Sequence, residues 1–185
     1  MSTEPGQAAS HGTAARIGRW IIPAIPFGWN WIAGFGIQRG GENVAPSNVY
    51  LKEDELLAGN QLILYIQAQI TVMQRTFKDP AIAGPVPAQF PGAEDCAMLM
   101  LRHQPLHQVS VFQVQHYVRS NRWIGIVTLT TLESELLKIR PEFEQFLKML
   151  RIAPVEAAPT ATFSPPIMGP VASPLSPSAE RRPTR

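Results

Sequence analysis

The chain has 185 residues, with 16 lysines and arginines against 14 acidic residues, and a formal net charge of +2 at pH 7. This length predicts one domain of ordinary size with tails. The near-neutral charge argues against a nucleic-acid binder, which presents a basic face to phosphates. A single cysteine excludes an internal disulfide framework and a cysteine-rich metal site, and it favours a reduced, cytoplasmic location.

The two ends of the chain are predicted to lie outside the folded domain. Residues 1–19 are small, polar and aperiodic, which is typical of a disordered lead-in. Residues 153–185 are predicted to be a disordered Pro-rich tail, because eight prolines occur among the last 32 residues. The folded domain is therefore expected to span residues 20–152.

Residues 20–37 form a stretch of 18 residues without a charged side chain, which is the length of a membrane anchor. Pro23 and Pro26 argue against a membrane helix, because each proline in a helix interior costs about 3 kcal/mol. Short strands joined by turns are the favoured interpretation, and a membrane anchor is the alternative.

The next segments read as a strand, a helix and a loop. A strand is predicted over 46–54, followed by a helix that runs to Thr76 with Asn60 as its N-cap. The segment 80–95 is rich in proline and glycine, so it is predicted to be a loop that holds at most one short edge strand.

Three strands are predicted next, over 96–102, 108–118 and 123–131, and the last two form a hairpin. The apolar repeat that follows is interrupted at Pro141, so we expect one turn of helix and then a second helix that begins there. This order of elements predicts an α+β fold with helices packed on an antiparallel sheet.

The residues that could form a catalytic or metal site do not combine into one. His103 and His107 have the spacing of a helical metal pair, but Pro105 lies between them and strands flank them. Cys96 is interpreted as a buried structural thiol. We therefore expect no enzymatic activity, no cofactor and no metal, and an enzyme of unrecognised chemistry that uses the two histidines is the weakest alternative.

Three glutamines lie among apolar residues. Gln69 falls near the middle of the apolar stripe of the first helix, and Gln113 and Gln115 share one face of their strand with valines and a tyrosine. In one interpretation Gln69 lies at the edge of the stripe, bonded to backbone, and the other two face water. In the other, the amides line an apolar groove that suits another protein's apolar helix, since a buried amide without a partner costs about 1–3 kcal/mol.

Several stretches resemble the DcrB-like family, whose domain has a PsbP-like α/β fold. The resemblance covers about residues 20–152, and its members without a lipoprotein signal include the Eag chaperones of type VI secretion, to which this chain is most similar. The matching stretches are Gly28-Trp29, the strand Asn48–Lys52, AGNQLILYIQAQI (58–70), PGAEDCAMLML (91–101), the glutamine-rich strand, VTLTT (127–131) and PEFEQFLKML (141–150).

The resemblance implies a cytoplasmic homodimer that shields the apolar, transmembrane-like helices of a secreted effector before loading. Nucleic-acid binding, which the near-neutral charge argues against, and direct insertion into a membrane are not expected. The predicted partner-binding residues are Gln69, Gln115, Tyr50, Phe35 and Ile37 from the resemblance, and Gln113 from the strand pattern. Gly34 and Gly36 stand where the family has branched residues.

The alternative function is that of an envelope-associated DcrB-like structural protein, which residues 20–37 would anchor. Cell fractionation separates the two hypotheses, because an anchored protein sediments with membranes.

Overall fold

The computed structural model describes residues 14–32, 36–39, 47–104 and 109–154. These residues form a large antiparallel sheet, a small antiparallel sheet and two α-helices, which confirms the predicted α+β class. The strands are β1 Ala15–Ile17, β2 Trp20–Ile22, β3 Trp29–Ile32, β4 Gly36–Arg39, β5 Ser47–Glu55, β6 Ala81–Pro87, β7 Asp95–His103, β8 Val111–Ser120, β9 Trp123–Leu132 and β10 Arg151–Ile152. The helices are α1 Leu62–Thr76 and α2 Leu136–Met149, and α2 follows a 3-10 turn at Glu133–Glu135.

The large sheet has seven strands in the order β3-β4-β5-β9-β8-β7-β6, and the small sheet has the order β1-β2-β10. Strands β8 and β9 form the predicted hairpin, with Ser120 opposite Trp123 and a left-handed Asn121 (φ 56°) in the turn. The two helices pack on opposite faces of the large sheet, since their apolar residues belong to separate cores.

The core beneath α2 also contains the segment that resembles a membrane anchor. Trp20 is fully buried in it, and its indole lies over Gly125, where even a Cβ atom would come within 2.2 Å of the ring. From this segment the core includes Trp20, Ile22, Ile25, Trp29 and Ile37, and from α2 it includes Ile139, Phe143 and Phe146. The favoured interpretation of short strands joined by turns is confirmed, and an anchor built from residues 20–37 is wrong for the residues that the structure describes.

The core beneath α1 is smaller. Leu62, Ile66 and Met73 of the helix are buried against the sheet, where their neighbours include Leu99 and Ile126. The helix contacts β6, β7 and β8. It therefore lies toward one edge of the sheet.

The structured domain begins earlier than residue 20. Residues Ala15–Ile17 form β1, which pairs with β2, so the predicted disordered lead-in over 1–19 is wrong for these residues. The backbone N–H of Ala153 donates to the Arg19 carbonyl at 2.7 Å, which ties the two ends of the domain together. Residues 1–13 and 155–185 lie outside the described residues.

Two predictions about helix ends are wrong. Asn60 is not the N-cap of α1, because Gln61 holds that position and the Asn60 N–H closes a turn onto the Leu57 carbonyl at 3.1 Å. Pro141 lies inside α2 and does not begin a helix. The carbonyl that its missing N–H leaves unpaired belongs to Leu137, which is 83% exposed, so water can satisfy it.

The edge strand β6 is longer than predicted. It spans Ala81–Pro87 and pairs with β7 across a register shift between Ala83 and Val86. The irregularity accommodates the proline and glycine residues that favoured a loop from the sequence.

His116 lies on the α2 side of β8, edge-on to the Phe143 ring at 5.8 Å. Burial lowers the pKa of His116 from its ordinary value to about 4, and the Glu144 carboxylate opposes this shift weakly. Because the unfolded chain binds this proton at higher pH than the folded protein, the stability from a neutral His116 is present above pH 6.5 and is lost as the pH falls toward 4.

We expect the free energy of unfolding to fall more in the wild type than in His116→Leu when the pH is lowered from 6.5 to 5. The difference should be about 1–2 kcal/mol, since one proton contributes about 1.4 kcal/mol per pH unit. Urea unfolding at both pH values measures it. Equal pH dependence in the two proteins would contradict a buried, neutral His116.

Candidate functional site

The face of the large sheet that carries α1 is only partly covered. Seven strands spaced about 4.8 Å apart span roughly 29 Å, whereas a helix with its side chains is about 10 Å wide. Within the described residues α1 packs mainly on β6, β7 and β8, so the same face of β3, β4, the earlier part of β5 and the later part of β9 lies beside the helix. We call this uncovered region, together with the adjoining residues Gln113 and Gln115 of β8, the open face.

Cross-strand pairing arranges the open face in two rows. In the first, Tyr50 of β5 lies opposite Thr128 of β9, which lies opposite Gln115 of β8. In the second row, the corresponding residues are Asn48, Thr130 and Gln113. Hydroxyl and amide groups therefore line these two rows of the open face, and Tyr50, which is 40% exposed, supplies the largest apolar surface in them.

A hydrogen bond shows which side of α1 borders the open face. The Tyr65 hydroxyl donates to the Asp54 carboxylate at 2.7 Å, and its ring lies edge-on to Tyr117 at 6.2 Å. Because Asp54 belongs to β5, the Tyr65 side of the helix faces the open face. Gln69 and Val72 follow Tyr65 on this side at helical spacing.

The ionisation states of Tyr65 and Asp54 preserve their hydrogen bond near neutral pH. The hydrogen bond from Tyr65 lowers the pKa of Asp54, and it outweighs the effect of burial. Burial and the Asp54 carboxylate together raise the pKa of Tyr65, so the phenol stays protonated and continues to donate. The position of α1 beside the open face is thus maintained by a charge-assisted hydrogen bond.

The glutamines of β8 are joined in a hydrogen-bonded chain. The Tyr117 hydroxyl donates to Gln115 Oε1 at 2.5 Å, and Gln115 Nε2 donates to Gln113 Oε1 at 3.0 Å. Tyr117 is 1% exposed and Gln115 is 7% exposed, whereas Gln113 is half-buried. The chain therefore runs from the core to the surface and leaves the N–H groups of the Gln113 amide at the open face.

The two predicted glutamines of β8 lie together on the α1 side of the sheet. The alternation predicted along β8 is correct, with Val114 and Val118 in the core beneath α2 and Tyr117 in the core beneath α1. Gln115 is buried, so the interpretation in which it faces water is wrong for this residue, whereas Gln113 is half-buried. Gln69 is half-buried and has no side-chain hydrogen bond within the described part of the chain, so it is not bonded to backbone there.

Ile37 and Tyr50, which are both predicted to bind a partner, lie on opposite faces of the sheet. Ile37 is 1% exposed and pairs with Val49 in the core beneath α2, so its inclusion in the open face is wrong. Its neighbour Gly36 pairs with Tyr50 and takes the position on the open face, because successive strand residues point to opposite sides. Phe35 lies outside the described residues.

The sequence patterns do not identify Thr128, Thr130 and Tyr65 as residues of the site. The two threonines alternate with buried Val127 and Leu129 in the VTLTT stretch, and this alternation was the available signal. No signal in the sequence pairs Tyr65 with Asp54, because that contact depends on how α1 crosses the sheet.

The two candidate catalytic residues that the structure describes, Cys96 and His103, are both buried. Burial raises the pKa of the Cys96 thiol to about 11, with a smaller contribution from Asp95, as expected of a buried structural thiol. His103 is buried against the Phe77 ring at 4.2 Å, and His107 lies outside the described residues. Among the described residues, no group of three His, Cys, Asp or Glu side chains is arranged to hold a metal ion.

In the part of the chain that the structure describes, no helix combines the length and hydropathy needed to cross a bilayer.

No protein-family model matches the chain, and a search of curated proteins finds no match either. Solved structures do share its fold. PA94 of Pseudomonas aeruginosa, a protein of unknown function described as a putative regulator, is 16% identical with a TM-score of 0.58, over 77% of this chain and 97% of that one. LpqN of Mycobacterium tuberculosis, involved in cell envelope biogenesis, is 12% identical with a TM-score of 0.60, over 77% and 90% of the two chains.

The cyanobacterial PsbP protein of Synechocystis is also similar, with a TM-score of 0.52 and 9% identity over 82% of this chain and 97% of that one. The fold of the present protein is therefore PsbP-like, as the sequence predicted. Identities this low show the fold alone.

The hydrogen-bonded chain makes a prediction about stability. Tyr117→Phe should lower the free energy of unfolding by about 1–2 kcal/mol, because it leaves the buried Gln115 carbonyl without its donor. Gln115→Leu alone should also be destabilising, since it leaves the buried phenol without its acceptor. The double variant should lose clearly less than the sum of the single losses, because both unpaired groups are then gone. Urea unfolding of the four proteins measures this coupling, and additive losses would contradict the chain.

Proposed function

We propose that the protein is a non-enzymatic, cytoplasmic chaperone or adaptor that acts as a homodimer. It binds apolar, transmembrane-like helices of a type VI secretion effector on the open face and shields them before loading. The observation that carries the proposal is the uncovered half of the sheet beside α1, where a buried chain of amides reaches the surface.

The dimensions of the open face support a helix as the occupant. From β9 to β3 the strands span about 14 Å, which exceeds the roughly 10 Å width of one helix. A second helix laid there would lie beside α1 and complete the layer that α1 begins. Val72 of α1, which is 56% exposed, lies on the side of α1 toward such a helix.

The chemistry of the open face supports a helix of the membrane type. Such helices carry serine, threonine and glycine among their apolar residues, and they need hydrogen-bond partners when they leave the bilayer. The Gln69 amide offers a donor and an acceptor, and the Gln113 amide offers its N–H donors, and no other described residue uses these groups. Tyr50 and Ile32 supply apolar contact on either side of Gly36.

Gln69→Ala should weaken the binding of a synthetic helix of about 20 apolar residues with terminal lysines. Loss of one amide hydrogen bond predicts a dissociation constant about five to ten times higher. Fluorescence titration of a labelled peptide measures the constant, and thermal unfolding verifies that the variant is folded.

Gln67→Ala is the matched control for this experiment. Gln67 lies on the same helix two residues away and is exposed, so its side chain points away from the open face. Its replacement should leave the peptide affinity unchanged. Equal affinities of the wild type, Gln69→Ala and Gln67→Ala would contradict the proposed site.

A role in the cell envelope is the second candidate, and the shared fold with LpqN favours it. Residues 20–32, 36 and 37 are strands and turns of the domain, so an envelope role would require another means of attachment. Under the chaperone proposal, the protein should remain in the supernatant when lysates of its native cells are centrifuged to collect membranes. Recovery in the membrane pellet after a high-salt wash would favour the envelope role.

A further inference from the structure

A second concave site lies on the other face of the sheet. A cavity of about 210 Å³ opens between α2 and the strands β7 and β8. Met98, Met100, Phe112 and Val114 line it from the strands, and Phe143 and Leu147 line it from the helix. It shares no lining residue with the open face, so it is independent of the proposed function.

The size of the cavity suggests what it could contain. An engineered cavity of about 150 Å³ lined by apolar side chains binds benzene, so this one has room for a ring with a short substituent. Met98 and Met100 are flexible and polarisable, and methionine sulfur packs favourably against aromatic rings. The walls therefore suit a small apolar molecule and can adjust to its shape.

The polar groups of the cavity limit the charge of its ligand. Arg140 Nε donates to Glu144 Oε1 at 2.8 Å, and both side chains are at least half exposed, so they form a self-compensated ion pair at the mouth. His116 is half-buried in the lining, and its Nδ1 is buried without a hydrogen-bond partner among the described residues, so a hydroxyl reaches this nitrogen when the lining side chains move. A neutral imidazole carries one N–H donor and one acceptor nitrogen.

We propose that this cavity binds a neutral aromatic alcohol or a compound of the same class, with its ring among the methionines and its hydroxyl hydrogen-bonded to His116. The assignment rests on the apolar walls, on the absence of a net charge at the mouth and on the imidazole, which lacks a partner within the described residues. A carboxylate at the mouth would lie near the Glu144 carboxylate, whose repulsion offsets the attraction of Arg140, so an acid of the same size is disfavoured.

The test is a titration of the full chain with benzyl alcohol, observed through the methionine methyl signals in carbon-13 NMR spectra. Saturable shifts of the Met98 and Met100 methyls are expected. Toluene should bind about fivefold more weakly, because it lacks the hydroxyl that bonds His116. Benzoate should bind more weakly than benzyl alcohol.

Two variants on the same helix locate the binding. Leu147→Trp should fill the cavity and weaken binding at least about tenfold, and Leu147→Phe tests the same point if the larger side chain impairs folding. Leu137→Trp is the matched control, since Leu137 is 83% exposed and does not line the cavity. It should leave binding unchanged.

Three results would overturn the proposal. They are the absence of saturable methyl shifts up to the solubility limit of benzyl alcohol, equal binding by the wild type and both Leu147 variants, and benzoate or toluene that binds as tightly as benzyl alcohol.

Discussion

The large sheet has seven strands, and the two described helices are too narrow to cover both of its faces completely. On one face, α2 and the segment from Trp20 to Trp29 together bury the strands. Among the described residues, the other face carries α1, which packs mainly on β6, β7 and β8 and reaches β5 through the hydrogen bond from Tyr65 to Asp54. A sheet about 29 Å wide cannot be covered by one helix about 10 Å wide, so the described residues leave part of this face uncovered.

The polar character of the open face follows from that constraint. Along β9, Val127 and Leu129 point into the core beneath α2, whereas Thr128 and Thr130 point to the uncovered side. The amides of β8 connect this surface to the buried Tyr117 hydroxyl, so a polar group deep beneath α1 keeps a partner. Such a surface can be hydrated when it is empty and can hydrogen-bond a partner when it is filled, which is what a transient shield for apolar helices requires.

The sequence predicted the elements that depend on local pattern. The alternation of β8 placed Gln113 and Gln115 beside Tyr117, and the helical wheel placed Gln69 on the sheet side of α1. The prediction that Ile37 binds a partner is wrong, because a shift of one residue in a short strand moves a side chain to the other face and no local pattern fixes that register. The helix start predicted at Pro141 is wrong, because only the fold shows the exposed carbonyl that tolerates a proline inside α2. The pairing of Ala15–Ile17 with β2 is likewise visible only in the fold.

In the proposed function, the open face holds an apolar helix of another protein. The most direct measurement is photo-crosslinking in the native cells with a photoreactive amino acid in place of Thr130, and with the same group at the exposed position of Leu137 as control. The Thr130 position should crosslink to an apolar helical segment of a secreted protein, and the Leu137 position should not. Absence of a crosslink at Thr130, or the same crosslinked proteins at both positions, would contradict the proposed function.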